Sequence, residues 1–287
     1  MNRQQSLFPD PPTPAAATST AELRLVTFNA QHAGPDRARR QAAWLSQQPD
    51  ADVVVLTEVG HGPGGHALLD ALTQHGYPHL HTSTPDGPDY RTVIASRQAP
   101  LEPVPTGIDV LAHRAPAVDL QIGAQRLRLI GLYVPSRGPA ERRNQNKRAF
   151  QHAVTRALPG ILAAADGPVV VTGDLNVVEP GHVPHYPVFG AWEYDFYRSF
   201  TDAGLTDAYR ALHPDTPGHS WYGRGGNGYR FDHTFLTTRR LHLTSCDYVH
   251  TPRLDGLSDH AALSLTAHPS AAATDPFSFD KAAGTGI

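Results

Sequence analysis

Among 287 residues there is one cysteine, Cys246. A single thiol cannot close an internal disulfide, and it excludes a thiolate-rich metal site. A reducing compartment is the simpler reading of that scarcity. Long apolar runs are missing as well. No stretch approaches the length of a membrane span, and Met1 to Asp10 lacks the apolar core of a secretory signal. The expectation is a soluble, cytoplasmic monomer with no membrane partner. An excess of one charge sign is also absent, with 24 Lys and Arg against 27 Asp and Glu. A net charge of −3 does not announce a nucleic-acid partner, so local basic clusters would have to supply one.

What is present is apolar residue in quantity, 40% of the chain, enough for a sizeable core. Residues 1–21 are rich in Pro, Ala, Thr and Ser without hydrophobic period, and read as a disordered tail. A second such tail is expected over 269–287, leaving 22–268 as one folded domain. Strands are predicted at 23–28, 53–57, 92–96, 117–122, 126–134 and 169–171. A helix is predicted over 36–48, a shorter one over 66–74, and a long one over 140–165 broken near Pro159-Gly160. Two short helices follow at 193–203 and 206–212. Residues 229–237 and 241–248 are predicted to form a hairpin, and 261–266 the last strand. Many neighbouring strands are joined too briefly for a crossover. That favours two packed sheets with helices outside over a doubly wound parallel sheet.

Polar residues recur where these strands end: Asn29, Glu58, Tyr133, Asp174 with Asn176, Asp232, and Asp259 with His260. One such residue is usually a cap or a loop residue. Six places in one domain suggest strand ends converging on a site. The sharpest is Val-Thr-Gly-Asp-Leu-Asn at 171–176. There a buried apolar run ends in Gly173, then a carboxylate and a carboxamide two positions apart, which share a face if the chain stays extended.

The set Leu-Val-Thr-Phe-Asn, Val-Val-Leu-Thr-Glu, Gly-Leu-Tyr-Val-Pro, Val-Thr-Gly-Asp-Leu-Asn, Tyr-Arg-Phe-Asp-His and Leu-Ser-Asp-His-Ala resembles the endonuclease/exonuclease/phosphatase superfamily of metal-dependent phosphoesterases. The pieces stand in that family's order across residues 23–266. The resemblance implies a four-layer α/β sandwich, two largely antiparallel sheets flanked by helices, with the site at one edge. It implies Mg²⁺, with Mn²⁺ as a substitute, held through Glu58 with help from Asn29 or Asp259. His260 is expected as general base, oriented by Asp232. Asp174 is expected to assist the leaving group or to align the nucleophile. Asn176, Tyr133 and Asn29 are expected to donate hydrogen bonds to phosphate oxygens. His233 reads as a packing residue or as one that supports the site from behind, not as a ligand, and His32, His61 and His66 receive no role. Three places depart from the family's usual pattern: Thr57 stands where Gln is common, Ser136 where Asn or Gln is common, and Ala30-Gln31-His32 where Asn-Gly is usual.

Tyr133 followed by x-Pro is similar to the exonuclease III and abasic-site endonuclease branch, so DNA is the expected substrate. Arg143 and Lys147 share a helical face and, with Arg230 and Arg224, are expected to grip its backbone. Trp221 is expected to line the substrate cleft. The alternatives are a phosphatase of a small phosphorylated metabolite, or an inactive DNA-binding or clamp-associated module. Gln4-Gln5-Ser6-Leu7-Phe8 resembles the pentapeptide by which bacterial proteins bind the sliding clamp, which would add that clamp as a partner.

Overall fold

The computed structural model of the chain describes residues 22–49, 51–83, 89–138 and 141–270, with the side chains of 141–143 also outside the description. The expected N-terminal tail, with Gln4 to Phe8, and residues 271–287 of the C-terminal one lie outside the described residues, whereas Pro269 belongs to the last strand. In chain order the elements are β1 (Leu23–Asn29), α1 (Pro35–Ser46), β2 (Val53–Val59), α2 (Pro63–Gln74), β3 (His79–Thr82), β4 (Arg91–Ser96), β5 (Glu102–Val104), β6 (Ala117–Ile122), β7 (Gln125–Tyr133) and α3 (Glu141–Ala163). Then come β8 (Val169–Asp174), α4 (Ala191–Asp202), β9 (Thr206–Asp207), α5 (Ala208–Leu212), β10 (Trp221–Tyr222), β11 (Gly228–Tyr229), β12 (Asp232–Leu236), β13 (Leu241–Val249), α6 (Thr251–Leu254) and β14 (Ala262–Pro269).

Two six-stranded sheets result, in the orders β13-β14-β1-β2-β4-β3 and β5-β6-β7-β8-β12-β9. Each holds one parallel pair, β1 with β2 and β7 with β8, and is otherwise antiparallel. The period of two along β2 explains the layering. Val53 and Val55 point between the sheets, where they meet Val118, Leu129 and Leu263. Val54 and Leu56 point outward onto Leu45 of α1 and Leu68 and Leu72 of α2. The second sheet is covered by α3 and α4 through Phe150, Val154, Leu158, Phe196 and Phe200. Helices, sheet, sheet and helices give the expected four-layer sandwich. At Gly131 the sheets come so close that an added Cβ would lie 2.7 Å from Thr92 Cγ2 and 2.9 Å from Val55 Cγ1.

Two sequence expectations are corrected. The helix α3 runs through Pro159 without a break. The missing N–H and the ring of Pro159 are tolerated in the last turn, where packing of Leu158 and Ile161 against the sheet holds the helix. The supposed hairpin of 229–237 with 241–248 does not form: β12 pairs with β8 and β9, whereas β13 pairs with β14 in the other sheet. The short Thr237–Arg240 link therefore crosses between layers. Among the described residues, no helix is long and apolar enough to cross a membrane.

Candidate functional site

The parallel pairs at the centre of each sheet carry the ends of β1, β2, β7 and β8 to one edge. Residues Asn29 and Thr57 are in register across β1 and β2, as are Tyr133 and Asp174 across β7 and β8. Asp232 begins β12 directly opposite Asp174. The two sheets are tied just below this edge by Thr27 Oγ1 and Thr172 Oγ1, 2.6 Å apart. Convergence of the motifs therefore follows from topology and register.

Local backbone devices aim the side chains. The pairing of β2 with β4 slips by one residue between Leu56 and Val59, so Glu58 sits in a bulge, at φ +52°. Asn176 is likewise left-handed, at φ +50°. Such conformations cost energy in non-glycine residues and are characteristic of functional sites. At Gly173 (φ +152°) an added Cβ would lie 1.9 Å from the Leu132 carbonyl oxygen, so only glycine lets β8 turn toward Asp174.

Asp174 is buried. Asn29 Nδ2 donates to its Oδ2 at 2.9 Å, the Asn176 N–H to its Oδ1 at 2.9 Å, and Asn176 Nδ2 to Oδ2 at 3.2 Å. Burial first, and then the neighbouring Asp232 charge, push the Asp174 carboxyl well above its ordinary range. His260 Nδ1 is 2.7 Å from Asp232 Oδ2, and both residues are buried. Burial alone would lower the His260 pKa, but the Asp232 carboxylate, with Asp174 and Asp259 behind it, pushes it up to about 10. The backbone of this pair is pinned by two serines that the sequence reading missed. Ser220 Oγ accepts from the N–H groups of Phe231 and Asp232, and Ser258 Oγ accepts from His260 N–H while donating to the Asn29 carbonyl. Ser258 stands inside the Leu-Ser-Asp-His motif, which was the available signal.

Glu58, Asp174, Asn176, Asp259 and His260 line one cleft of about 340 Å³, together with Arg137, Phe189, Trp221, Tyr229 and Phe231. Trp221 lies on its wall as expected, and its Nε1–H also donates to Asp259 Oδ2 at 2.9 Å. Tyr229 stacks on Phe231 with centroids 5.1 Å apart, extending that wall. One side of the cleft is thus acidic and the other aromatic.

Carboxylates without enough donors are what a cation site requires. Asp174, Asp232 and His260 offer ligand atoms within 4.8 Å of one another, and the buried Asp232 Oδ1 has no hydrogen-bond partner among the described residues. Glu58 and Asp259 line the same cleft but stand outside that cluster. The donor set fits a hard divalent ion.

Several expectations change. The Tyr133 hydroxyl donates to Glu58 Oε1 at 2.9 Å, so its one proton holds the Glu58 carboxylate and not a phosphate oxygen. Burial, then the charges of Glu58 and Asp174, drive the phenol far above its usual pKa. Arg114 lies over the Tyr133 ring at 4.4 Å and holds it from the other face. Asn29 is fully buried, with its Oδ1 accepting from Gln31 N–H, so it positions Asp174 and does not face the cleft as a metal ligand. Lys147 is not a DNA contact. Its buried ammonium donates to Glu193 Oε1 at 2.6 Å and to the Asn176 carbonyl at 2.7 Å. Burial pulls its pKa down, and Glu193 opposes that pull. Arg230 is not a DNA contact either. It is completely buried, bonded to Glu179 at 2.6 Å and Asp207 at 2.8 Å. A basic residue next to a motif looks the same in sequence whether it faces solvent or carboxylates. Arg143 belongs to α3, and its side chain is outside the described residues. His233 donates from Nε2 to the Val177 carbonyl at 2.9 Å, as a packing residue would. Glu193, which gathers Lys147 and Arg137 behind Asn176, gave no sequence signal beyond helix propensity.

Residues 26–260 match the model of the Endonuclease/Exonuclease/phosphatase family. The chain is 24% identical over 237 residues to an exodeoxyribonuclease of Bacillus subtilis (strain 168), covering 76% of this chain and 89% of that protein. Its fold is similar to that of the 3′-5′ exonuclease NExo of Neisseria meningitidis, with a TM-score of 0.67, 21% identity and coverage of 86% and 99% of the two chains. An AP endonuclease from Archaeoglobus fulgidus aligns with a TM-score of 0.66, 22% identity and the same coverage of 86% and 99%. A structure titled as the 3′ phosphatase NExo bound to a product DNA hairpin aligns at TM-score 0.67 and 20% identity, covering 86% and 99%.

Proposed function

Since the chain belongs to the endonuclease/exonuclease/phosphatase family, whose members hydrolyse phosphoesters, we propose that it is a divalent-metal-dependent deoxyribonuclease acting in DNA repair, as a 3′-to-5′ exonuclease, an abasic-site endonuclease or both. The observation that carries this reading is the single cleft. It joins the Asp232–His260 pair, the buried Asp174 and the Glu58 carboxylate on one side to an aromatic wall on the other. An aromatic wall suits a sugar or base face better than a small, wholly polar metabolite. The similar exodeoxyribonuclease, 3′-5′ exonuclease and AP endonuclease support the same reading.

Glu58 and Asp259 are the residues proposed to hold the cation, with Asp174 and Asp232 behind them. A cation there would supply positive charge that polarises the phosphate, lowers the pKa of water and offsets the surrounding carboxylates. The chain's own groups do the rest. Tyr133 and the bulge fix the direction of the Glu58 carboxylate. The Asp232 carboxylate accepts from His260 Nδ1–H and favours the protonated imidazolium, and His260 lines the cleft. His260 and Asp174 are the two groups placed to exchange protons with attacking water and leaving oxygen. The Asn176 carboxamide lines the cleft, but its Nδ2 donates to the Val134 carbonyl at 2.9 Å and to Asp174 Oδ2 at 3.2 Å, so it holds Asp174 instead of a phosphate oxygen.

The test is incubation of purified protein with Mg²⁺ or Mn²⁺ and three substrate sets: abasic duplex, 3′-labelled blunt duplex and a panel of phosphorylated metabolites. Cleavage of either duplex is expected, with none in excess chelator. Turnover of metabolites with both duplexes intact would transfer the assignment to a small-molecule phosphatase. We also propose, from the sequence of Gln4 to Phe8 alone, a weak tether to the sliding clamp. Leu7 and Phe8 would contribute roughly 1.5–3 kcal/mol each before ordering costs. Calorimetric titration of the full chain with the clamp checks this, and a Leu7→Ala, Phe8→Ala variant that binds equally well removes it.

A further inference from the structure

His32 carries a combination of features that the catalytic arrangement above leaves unused. It lies in the β1–α1 loop at φ +37°, directly after Gln31 at φ +48°. Two successive left-handed residues with side chains are costly, and something has to hold them. Arg37 does so from one side, donating to Gln31 Oε1 and to the Gln31 carbonyl, both at 2.6 Å. From the other side, His32 N–H donates to the carbonyl of Glu58 at 2.9 Å. The strained loop is thus docked on the strained bulge that presents the acidic ligand.

The ring of His32 is held as well. It stacks on Tyr90, with centroids 5.0 Å apart and planes 18° from parallel. Tyr90 follows Asp89, whose carboxylate binds His113 Nε2 at 2.7 Å and Arg114 Nε at 2.9 Å. Arg114 in turn braces Tyr133, the donor to Glu58 Oε1. The imidazole and the Glu58 carboxylate are therefore fixed by one shared frame.

What that frame achieves is a particular pairing. Tyr133 occupies Glu58 Oε1, and His32 Nδ1 faces the other oxygen, Oε2, at 3.4 Å. A ring N–H···O bond would normally be nearer 2.9–3.0 Å. Two ligand atoms sharing one cation, each about 2.0–2.2 Å from it, lie roughly 3.0–3.5 Å apart. The separation is poor for a hydrogen bond and good for adjacent ligands. His32 is also half-exposed at 54% of its side chain, and it lines a separate pocket with Gly60, His61 and Tyr90.

We propose that His32 is a ligand of the catalytic cation alongside Glu58, and that this nitrogen makes the site prefer a first-row transition ion such as Mn²⁺ over Mg²⁺. The proposal rests on Glu58 being a metal ligand, as argued above. Mg²⁺ takes oxygen ligands almost exclusively and parts reluctantly with its waters. An oxygen–nitrogen pair favours the softer transition ions.

The experiment is direct cation binding, with no turnover required. Mn²⁺ binding to the full chain is followed by electron paramagnetic resonance, and Mg²⁺ binding by its competition. Wild type, His32→Asn, His32→Gly and Glu58→Gln are compared. Asn and Gly tolerate a positive φ, so both His32 variants keep the loop. Either His32 variant should lose roughly 10–100-fold in Mn²⁺ affinity, with Mg²⁺ affinity changing by less than about threefold. Pulsed measurements on bound Mn²⁺ should show imidazole nitrogen coupling in wild type and its loss in His32→Asn. An unchanged Mn²⁺ to Mg²⁺ preference in both variants, or coupling that persists in them, overturns the proposal. Should Glu58→Gln bind both ions like wild type, the metal assignment itself falls. That outcome is distinct from the failure of His32 alone.

Discussion

At the scale of single residues, the site separates groups that do chemistry from groups that hold them. Glu58→Gln keeps the shape and removes the charge, so hydrolysis should fall by roughly two to four orders of magnitude and recover in part at high cation concentration. Full activity in that variant would remove Glu58 from the metal site. His260→Ala should cost more than Asp232→Asn, because Asp232 acts through the imidazole: loss of a proton-transfer group is worth roughly 10²–10⁴ in rate. Steady-state kinetics on one duplex substrate ranks the two, and the reverse order would contradict the pairing seen at 2.7 Å. Arg230 makes a different prediction. With its guanidinium fully buried between Glu179 and Asp207, Arg230→Met strands two carboxylates and should destabilise by about 3–5 kcal/mol. The same cluster governs acid stability. Burial would raise both carboxyls, but Arg230 holds Asp207 below its ordinary pKa, and Arg210 with Arg230 does the same for Glu179. Their contribution is therefore complete above the unfolded carboxylate pKa, near about 4, and is lost as pH falls through the depressed folded values. Urea midpoints measured from about pH 6 to pH 3 should drop, and should drop less in Arg230→Met, where the cause of the depression is gone.

At the scale of elements, legibility followed the source of each signal. The strands that carry Glu58 and Asp174 open as short apolar runs, and those ending in Asn29 and Tyr133 alternate apolar with polar residues, so each could be found locally. Their meeting at one edge depends on β1–β2 and β7–β8 register, which no local pattern encodes. The short link at Thr237–Arg240 has the length of a hairpin turn, yet it joins strands of different sheets. Loop length alone cannot distinguish pairing from crossing between layers. Lys147 was legible as a helical cation, but its buried partner Glu193 lies on another helix, 46 residues away. Gly173 is the element-scale position most sensitive to change. A Gly173→Ala substitution meets the Leu132 carbonyl and also an unfavourable φ, so it should lower stability and distort the Asp174 turn together. Thermal melting alongside activity checks this. Unchanged melting with normal turnover would mean that β8 has freedom the packing denies it.

At the scale of the whole molecule, charge decides how the protein would meet DNA. The net charge of −3 offers no general attraction, and two of the basic residues nearest the motifs, Lys147 and Arg230, are sealed inside. Exposed cations near the cleft are fewer. Arg224 is exposed on the turn between β10 and β11, the strands that carry the cleft residues Trp221 and Tyr229. Arg148 is exposed on α3, with its guanidinium 4.7 Å from the Trp192 ring. Arg137 lines the cleft but is shared with Glu193. Each phosphate neutralised contributes about −0.9 to the slope of log affinity against log salt on duplex DNA. Two or three contacts of this kind give a slope of roughly −2 to −3, shallow for a nuclease that would depend on backbone charge alone. Binding then leans on the aromatic wall and on the cation, whose effects vary less with salt. Duplex affinity measured over a range of NaCl, with inactive Glu58→Gln protein, separates these sources. Arg224→Ala should reduce the slope by about 1 and leave folding intact. Lys147→Met should leave the slope unchanged while lowering stability, because Glu193 loses its buried partner. A steep wild-type slope that Lys147→Met flattens would return Lys147 to the DNA interface and contradict its burial.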